Sequence, residues 1–309
     1  MQNSKWNRGV ALVGAGMSKF GAFPEKTSRD LFVDAYLEMK HSVDKGLNPD
    51  RIEAFYVGNF SSDQFEKQSH LAPILASWVG LSPIASVRIE DACASGGVAL
   101  RQAAMAIASG QYDVVLVGGL EKMTDLHIAA VTEALGTAAD TQFEIPAGFT
   151  FPGFYAAMAT AYLAEYHAKR EAFFHVSLKN HRNGALNDKA QFGQTIKSIM
   201  ESKKARAEKK GRPVPEWKDE LDFLQDPRGN PNIAWPMTLF DCSPISDGGA
   251  VALLVAEDLA KDFSETPLYL IGSGQASDGA LPDRDTLASI PAAEEAGKQA
   301  YAMAGLGPE

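Results

Sequence analysis

The sequence has 309 residues, 45% hydrophobic and 22% charged, which is a folding rather than a disordered composition. At about 150 residues per domain it has room for about two domains. Its net charge of −10 excludes duplex nucleic acid as a natural partner, though a local basic patch can still hold an anion.

Val10–Val13 reads as a strand that runs into Gly14-Ala15-Gly16. Phe32, Ala35, Tyr36, Met39 and Val43 share one face of a helix predicted over Thr27–Val43, with Thr27 or Ser28 as its cap. Ala54–Val57 predicts a strand, Pro73–Gly80 the end of a helix closed by Gly80, and Val87–Ile89 another strand. Ser95–Ser109 is expected to be helical and Tyr112–Val117 extended, with Gly110 between them as the helix stop. This alternation predicts an α/β protein made of parallel βαβ units. Gly14 and Gly16 do not belong to a dinucleotide fingerprint, because Lys19 stands where the third glycine is needed.

From Thr124 to Pro236 the alternation fades and aromatics, Gly and Pro increase, which marks an inserted domain. Phe143–Tyr155 reads as turns, and Met158–Tyr166 and Ala172–Asn180 as helices. Lys197–Arg212 holds seven basic and two acidic residues. That run reads as a solvated helix, with salt-sensitive steering of an anion as the functional alternative. Gly249–Ala256 is a further buried strand. Leu268-Tyr-Leu-Ile-Gly-Ser-Gly274 then echoes the first strand and its Gly-x-Gly. Pro291–Ala304 followed by Gly305-Leu-Gly-Pro-Glu309 echoes the helix ending at Lys45-Gly-Leu-Asn-Pro-Asp50. The two units imply an internal duplication whose second copy has only begun when the sequence ends.

The two cysteines, Cys93 and Cys242, exclude a disulfide scaffold and a four-cysteine zinc site. The six histidines have no spacing backed by carboxylate or cysteine ligands, so no metal site is expected. The opening shows no leader, and the longest apolar stretches fall far short of the roughly 20 residues that span a bilayer. A reducing, cytoplasmic setting away from membranes is the expectation.

Cys93 falls between the strand Val87–Ile89 and the helix that begins near Ser95. Free N–H groups and the helix dipole favour negative charge on a sulfur placed there. Such a cysteine is either a nucleophile or a small buried hydrophobe, and position alone leaves both open. The helix after it, Val98–Ala108, is apolar nearly all round and is expected to be buried between layers.

Three segments in order carry a resemblance: Asp91-Ala-Cys93-Ala-Ser-Gly-Gly97, Gly118-Gly-Leu-Glu-Lys-Met123 and Asp241-Cys-Ser-Pro-Ile-Ser-Asp-Gly248. Together with Val13–Gly21 and His181–Phe192 they resemble the thiolase superfamily, most of all the sterol-carrier-protein type of bacterial and archaeal thiolases. The resemblance implies a duplicated α-β-α-β-α layered fold with an inserted loop domain over the active site. The N-terminal half would run over 1–123 and return over 237–262, the insertion would be 124–236, and 263–309 would open the second half. It implies an acyltransferase in which Cys93 takes the acyl group of a 3-oxoacyl-CoA, cleaving or forming the carbon–carbon bond. Met158 matches the methionine lining the thioester pocket, and Ser243 the serine that meets the pantetheine of CoA. Ser246 and Gly248 belong to the same motif, as a turn or as ligand contacts. CoA would be a substrate, with no tightly bound cofactor. A homodimer is implied, with a small OB-fold zinc-ribbon protein as a further partner. The family's C-terminal motifs, which carry the activating histidine and sometimes a second cysteine, have no match here. Cys242 is not that second cysteine, since its flanks match the Ser-Asp-Gly motif. A thiolase-fold aldolase or condensing synthase, and a non-catalytic subunit, are the alternative readings.

Overall fold

A computed structural model describes residues 6–309; residues 1–5, part of the opening read as lacking a leader, lie outside the described residues. Contacts divide the chain into two compact units. The first comprises the chain up to Ala134 with Ser246–Asp278 and Pro291–Glu309; the second comprises Leu135–Ile245 and Gly279–Ile290.

In chain order the first unit begins with β1 (Val10–Met17), α1 (Ser28–Ser42), β2 (Ala54–Gly58), α2 (Ser62–Phe65), α3 (Leu71–Trp78) and β3 (Ala85–Ile89). It continues through α4 (Ser95–Ala108), β4 (Val114–Glu121) and α5 (Ile128–Gly136). The second unit contributes α6 (Phe151–Glu165), α7 (Glu171–Gly184), α8 (Ile196–Lys209), α9 (Glu220–Gln225), β5 (Asn232–Ala234) and β6 (Met237–Thr238). The chain then returns with β7 (Gly248–Ala256), α10 (Ala260–Phe263), β8 (Leu268–Tyr269) and α11 (Pro291–Ala304).

The sheet of the first unit has the order β3-β2-β4-β7-β1-β8. The expectation of parallel units holds only for β2, which lies parallel to β3 and β4. β7 runs antiparallel to both β4 and β1, and β8 antiparallel to β1, so the sheet is mixed. β4 and β7 are continuous apolar runs because both faces are covered. Val114, Leu116, Val251, Leu253 and Val255 pack with Phe32, Ala35, Tyr36 and Met39 of α1. Val115, Val117, Leu254 and Ala256 pack with Ala99, Ala103, Ala104 and Ile107 of α4.

Thr27, rather than Ser28, caps α1, in a reciprocal pair with Asp30. Gly14 and Gly16 let β1 lie close on that helix: a Cβ on Gly14 would meet Val43 at 2.6 Å, and one on Gly16 would overlap the Ala35 carbonyl. The same packing recurs at the other end of the chain. Side chains at Gly272 and Gly274 would overlap the Ala300 and Ala296 carbonyls of α11. The ladder there is shorter than the echo implied: Leu268–Tyr269 pair with β1 and the Leu270 N–H donates to the Val10 carbonyl at 2.9 Å.

The expected strand at Val87–Ile89 is present as β3, at the edge of the sheet and with no buried residue. Two further expectations are corrected. α4 is buried on one face only; Gly96, Gly97 and Met105 are exposed among the described residues. α6 starts at Phe151, inside the stretch read as turns, because Thr150 and Pro152 open a helix there. The core of the second unit is Phe174, Ile196, Met200, Trp217, Phe223 and Leu224. Its basic helix α8 is partly engaged: Lys203 donates to the Gly229 carbonyl at 2.7 Å and lies over the Phe223 ring, and Lys204 donates to the Trp217 carbonyl. Burial lowers the Lys203 pKa. Glu144, itself buried, accepts from the Leu281 N–H and so holds 279–290 to this unit.

Candidate active site

Cys93 is exposed, so it is not the buried filler that its apolar neighbourhood allowed. It occupies a single 3-10 turn, Ala92–Ala94, between β3 and α4. The turn is strained at Ala92, whose φ of 45° costs an L-residue with a side chain about 1–2 kcal/mol. Its closure is local. Glu90 accepts the Ala92 N–H at 2.7 Å, and the Ala94 N–H returns to the Asp91 carbonyl at 2.9 Å. Ser95 accepts the Asp91 N–H at 2.8 Å and donates to the Ala92 carbonyl at 2.7 Å.

The parallel strands bring their carboxyl ends to this turn. A side chain on Gly58, the last residue of β2, would overlap the Ser95 carbonyl and the Gly96 nitrogen. A Cβ on Gly119 of β4 would lie 3.5 Å from the Gly96 Cα. The backbone of the first turn of α4 therefore rests directly on β2 and β4. The loop after β2 is held from two sides. Glu121 accepts from Asn59 Nδ2, the Phe60 N–H and the Ser61 N–H at 3.0, 2.9 and 3.2 Å. Arg88 donates to the Asn59 and Phe60 carbonyls at 3.2 and 2.5 Å and pairs with Asp63 at 2.9 Å. Burial pushes the Glu121 carboxyl above its usual range in spite of those donors.

Asp247 is fully buried at the point where the chain re-enters the first unit. It pairs with the equally buried Lys122 at 2.9 Å. It also accepts from the backbone of Phe23, Met123 and Thr124, and from the Thr124 hydroxyl at 2.6 Å. Burial alone would raise its pKa; the hydrogen bonds from Thr124 and Lys122 outweigh it and hold the carboxyl below its usual range. Lys122 also pairs with Asp125 at 2.5 Å. Against the cost of burial, these two carboxylates raise its pKa.

The residues singled out in the sequence divide between the units. Cys93, Ser246 and Gly248 belong to the first. Gly248 lies opposite Glu121 in the ladder and under the Phe20 ring, which a Cβ would meet at 2.6 Å. The Ser246 hydroxyl is buried without a hydrogen-bond partner. Met158, half-buried on α6, and Ser243, exposed after β6, belong to the second. Cys242 is half-buried; desolvation, with Asp241 beside it, pushes its thiol up. Ser95, Glu121, Arg88 and the Lys122–Asp247 pair escape a reading by motif chemistry. The available signal was a charged dipeptide, Glu121-Lys122, closing an otherwise apolar strand. Among the described residues no group of His, Cys, Asp and Glu is arranged to hold a metal ion.

The site presents a strand-turn-helix cysteine on a sheet covered by α1 and α4, and the comparisons give the class of protein, an acyltransferase of thiolase type. Residues 10–258 match the family "Thiolase, N-terminal domain", and the chain belongs to the thiolase family. Acetyl-CoA acetyltransferase of Methanothermobacter thermautotrophicus is 38% identical over 97% of this chain and 71% of its own length. Benzoylsuccinyl-CoA thiolase subunit BbsB of Thauera aromatica is 29% identical over 99% of this chain and 70% of its own. Among solved structures, the Ltp2-ChsH2(DUF35) aldolase superposes with a TM-score of 0.71 at 23% identity, covering 97% of this chain and 70% of that one. Human mitochondrial 3-ketoacyl-CoA thiolase in complex with CoA gives 0.66 at 20%, covering 97% and 77%. These two likenesses establish the thiolase fold.

Proposed function

We propose that the chain is a CoA-dependent thiolase acting through an acyl-cysteine on Cys93. The observation that carries this is the exposed Cys93 on a strained turn immediately before α4, inside the matched family region. In the degradative direction the Cys93 thiolate adds to the 3-keto carbonyl. The C2–C3 bond breaks, its electron pair leaves on C2 as the enolate of acetyl-CoA, and protonation releases acetyl-CoA. A second CoA thiol then takes the acyl group from the Cys93 sulfur. Backbone N–H groups at the helix start are the donors for the thioester oxygen. Met158, Ser243, Ser246 and Gly248 are assigned to the CoA and thioester path on resemblance alone. No tightly held cofactor is required, because a thiol and CoA supply the chemistry. The cytoplasm, which keeps an exposed thiol reduced, is the proposed setting.

The open edge of β3 supports a homodimer in which two copies pair there. The two-component Ltp2-ChsH2(DUF35) aldolase supports a second subunit, proposed here as a small OB-fold zinc-ribbon protein. The test is intact-protein mass spectrometry after incubation with acetyl-CoA and a set of 3-oxoacyl-CoAs. An acyl adduct on the wild type that disappears in Cys93→Ser is the expected result. The aldolase neighbour favours a second reading, and carbon–carbon cleavage that survives Cys93→Ala would establish it in place of the first.

A further inference from the structure

A nucleophile on a turn is only as good as the geometry that presents it. Around Cys93 that geometry depends on a conformation its own sequence disfavours. Ala92 is one of three non-glycine residues with positive φ among the described residues, and it immediately precedes the cysteine. Left to itself, an alanine relaxes to negative φ, and the peptide between Ala92 and Cys93 turns with it. Something must hold it.

Ser95 is the side chain placed to do so. It is only 4% exposed, and its hydroxyl is used in both directions, as acceptor for the Asp91 N–H and as donor to the Ala92 carbonyl. The two hydrogen bonds hold the Glu90–Asp91 peptide by its N–H and the Ala92–Cys93 peptide by its carbonyl, while the peptide between them is held by Glu90 at the Ala92 N–H and by the Ala94 N–H at the Asp91 carbonyl. The bridge therefore spans Asp91 and Ala92 and restrains the ψ of Ala92 from its carbonyl side. The clamp is itself anchored, because the Ser95 backbone lies on Gly58, where no side chain fits. Glu90 holds only the Ala92 N–H, from a side chain at the open end of β3, and cannot fix the far side of the residue.

We infer that Ser95 is a positioning residue for the Cys93 nucleophile: its hydroxyl bridges Asp91 N–H and Ala92 C=O and locks the strained Ala92 that presents the sulfur. This rests on the proposed role of Cys93. The residue has no contact with substrate in this role; it acts through the turn. Ser95→Ala removes both hydrogen bonds of the hydroxyl and little volume, leaving the Ala92 carbonyl only the Ser95 backbone N–H, so Ala92 relaxes more readily and Cys93 is presented less often. Ala92→Gly removes the strain instead, since glycine takes positive φ freely, and makes the clamp dispensable.

The experiment measures iodoacetamide modification of each cysteine in the full chain by peptide mass spectrometry across pH, alongside acylation by acetyl-CoA. Cys242 serves as the internal reference for an intact fold. In Ser95→Ala the Cys93 rate is expected to fall about tenfold while the Cys242 rate stays put. In the Ala92→Gly background the same Ser95→Ala change is expected to cost less than threefold. Equal Cys93 rates in wild type and Ser95→Ala overturn the inference, as does an equal loss in both backgrounds. If Ser95→Ala alone fails to fold, a folded Ala92→Gly/Ser95→Ala double variant supports the clamp and an unfolded one overturns it. Alkylation needs no acyl-CoA. A wild type that alkylates at Cys93 without ever being acylated overturns the acyl-cysteine mechanism and leaves the clamp comparison standing.

Discussion

Asp247 is the most heavily used side chain described, binding three backbone N–H groups, a hydroxyl and a lysine with its two oxygens. Replacing it by Asn leaves Lys122 buried with only the partly exposed Asp125 for charge compensation. Asp247→Asn is expected to cost about 3 kcal/mol, read as a shift in denaturant midpoint. Its pH signature follows from the sign of the shift. A carboxyl held below its ordinary pKa adds stability above that ordinary value, and the gain is lost as pH falls through the depressed one. Glu121 has the opposite sign. Raised by burial, its contribution is present below the ordinary Glu value and is lost as pH rises through the elevated one. Unfolding followed across acid pH is therefore expected to lose its acid limb in Asp247→Asn, and to lose its fall towards neutrality in Glu121→Gln. The sequence showed Asp247 only as part of a motif. Its importance depends on bringing Phe23, Lys122 and Thr124 to one point, and no local pattern encodes a meeting over 224 residues of chain.

At the scale of elements, legibility followed coverage. α1 was readable almost residue by residue, because its periodic apolar face meets the sheet and its start is a Thr27–Asp30 box. Thr27→Ala is expected to lower stability by about 1 kcal/mol in a denaturant titration, by removing one half of that box. β4 and β7 were readable as strands but not as antiparallel neighbours. Direction is set by a connection that passes through residues 135–245 of the second unit, and a doubly buried apolar run looks the same in either direction. α4 misled for the reverse reason. Its alanines and glycines look apolar all round, but Gly96 and Gly97 are open, and only the Ala99–Ala103–Ile107 side is packed. The start of α6 was hidden because its opening residues, Phe151, Pro152 and Gly153, read as a turn. Cys93 itself was legible, since strand, small-residue turn and helix all lie within a dozen residues of it; its brace was not.

At the scale of the whole molecule, the free edge at β3 and the paired interior at β7 have different consequences. The edge presents Val87, 43% exposed, on a strand with one unpaired side. Val87→Asp adds charge to that edge, and sedimentation is expected to show the proposed dimer dissociating to monomer. The position of β7 bears on how the chain is made. β1 pairs only with β7 and β8, and β4 meets β1 only through β7. A ribosome must therefore synthesise past Ala256 before the first strand can join the second, third and fourth. Until then the nascent polypeptide carries a three-stranded fragment and a stray apolar strand, while 135–245, which holds the core of the second unit, has emerged and can fold before Gly279–Ile290 joins it. Arrested chains ending before Gly248 are expected to yield a protease-resistant core from 135–245 and digestible sequence ahead of it. Chains that have released Ala256 from the exit tunnel are expected to protect both.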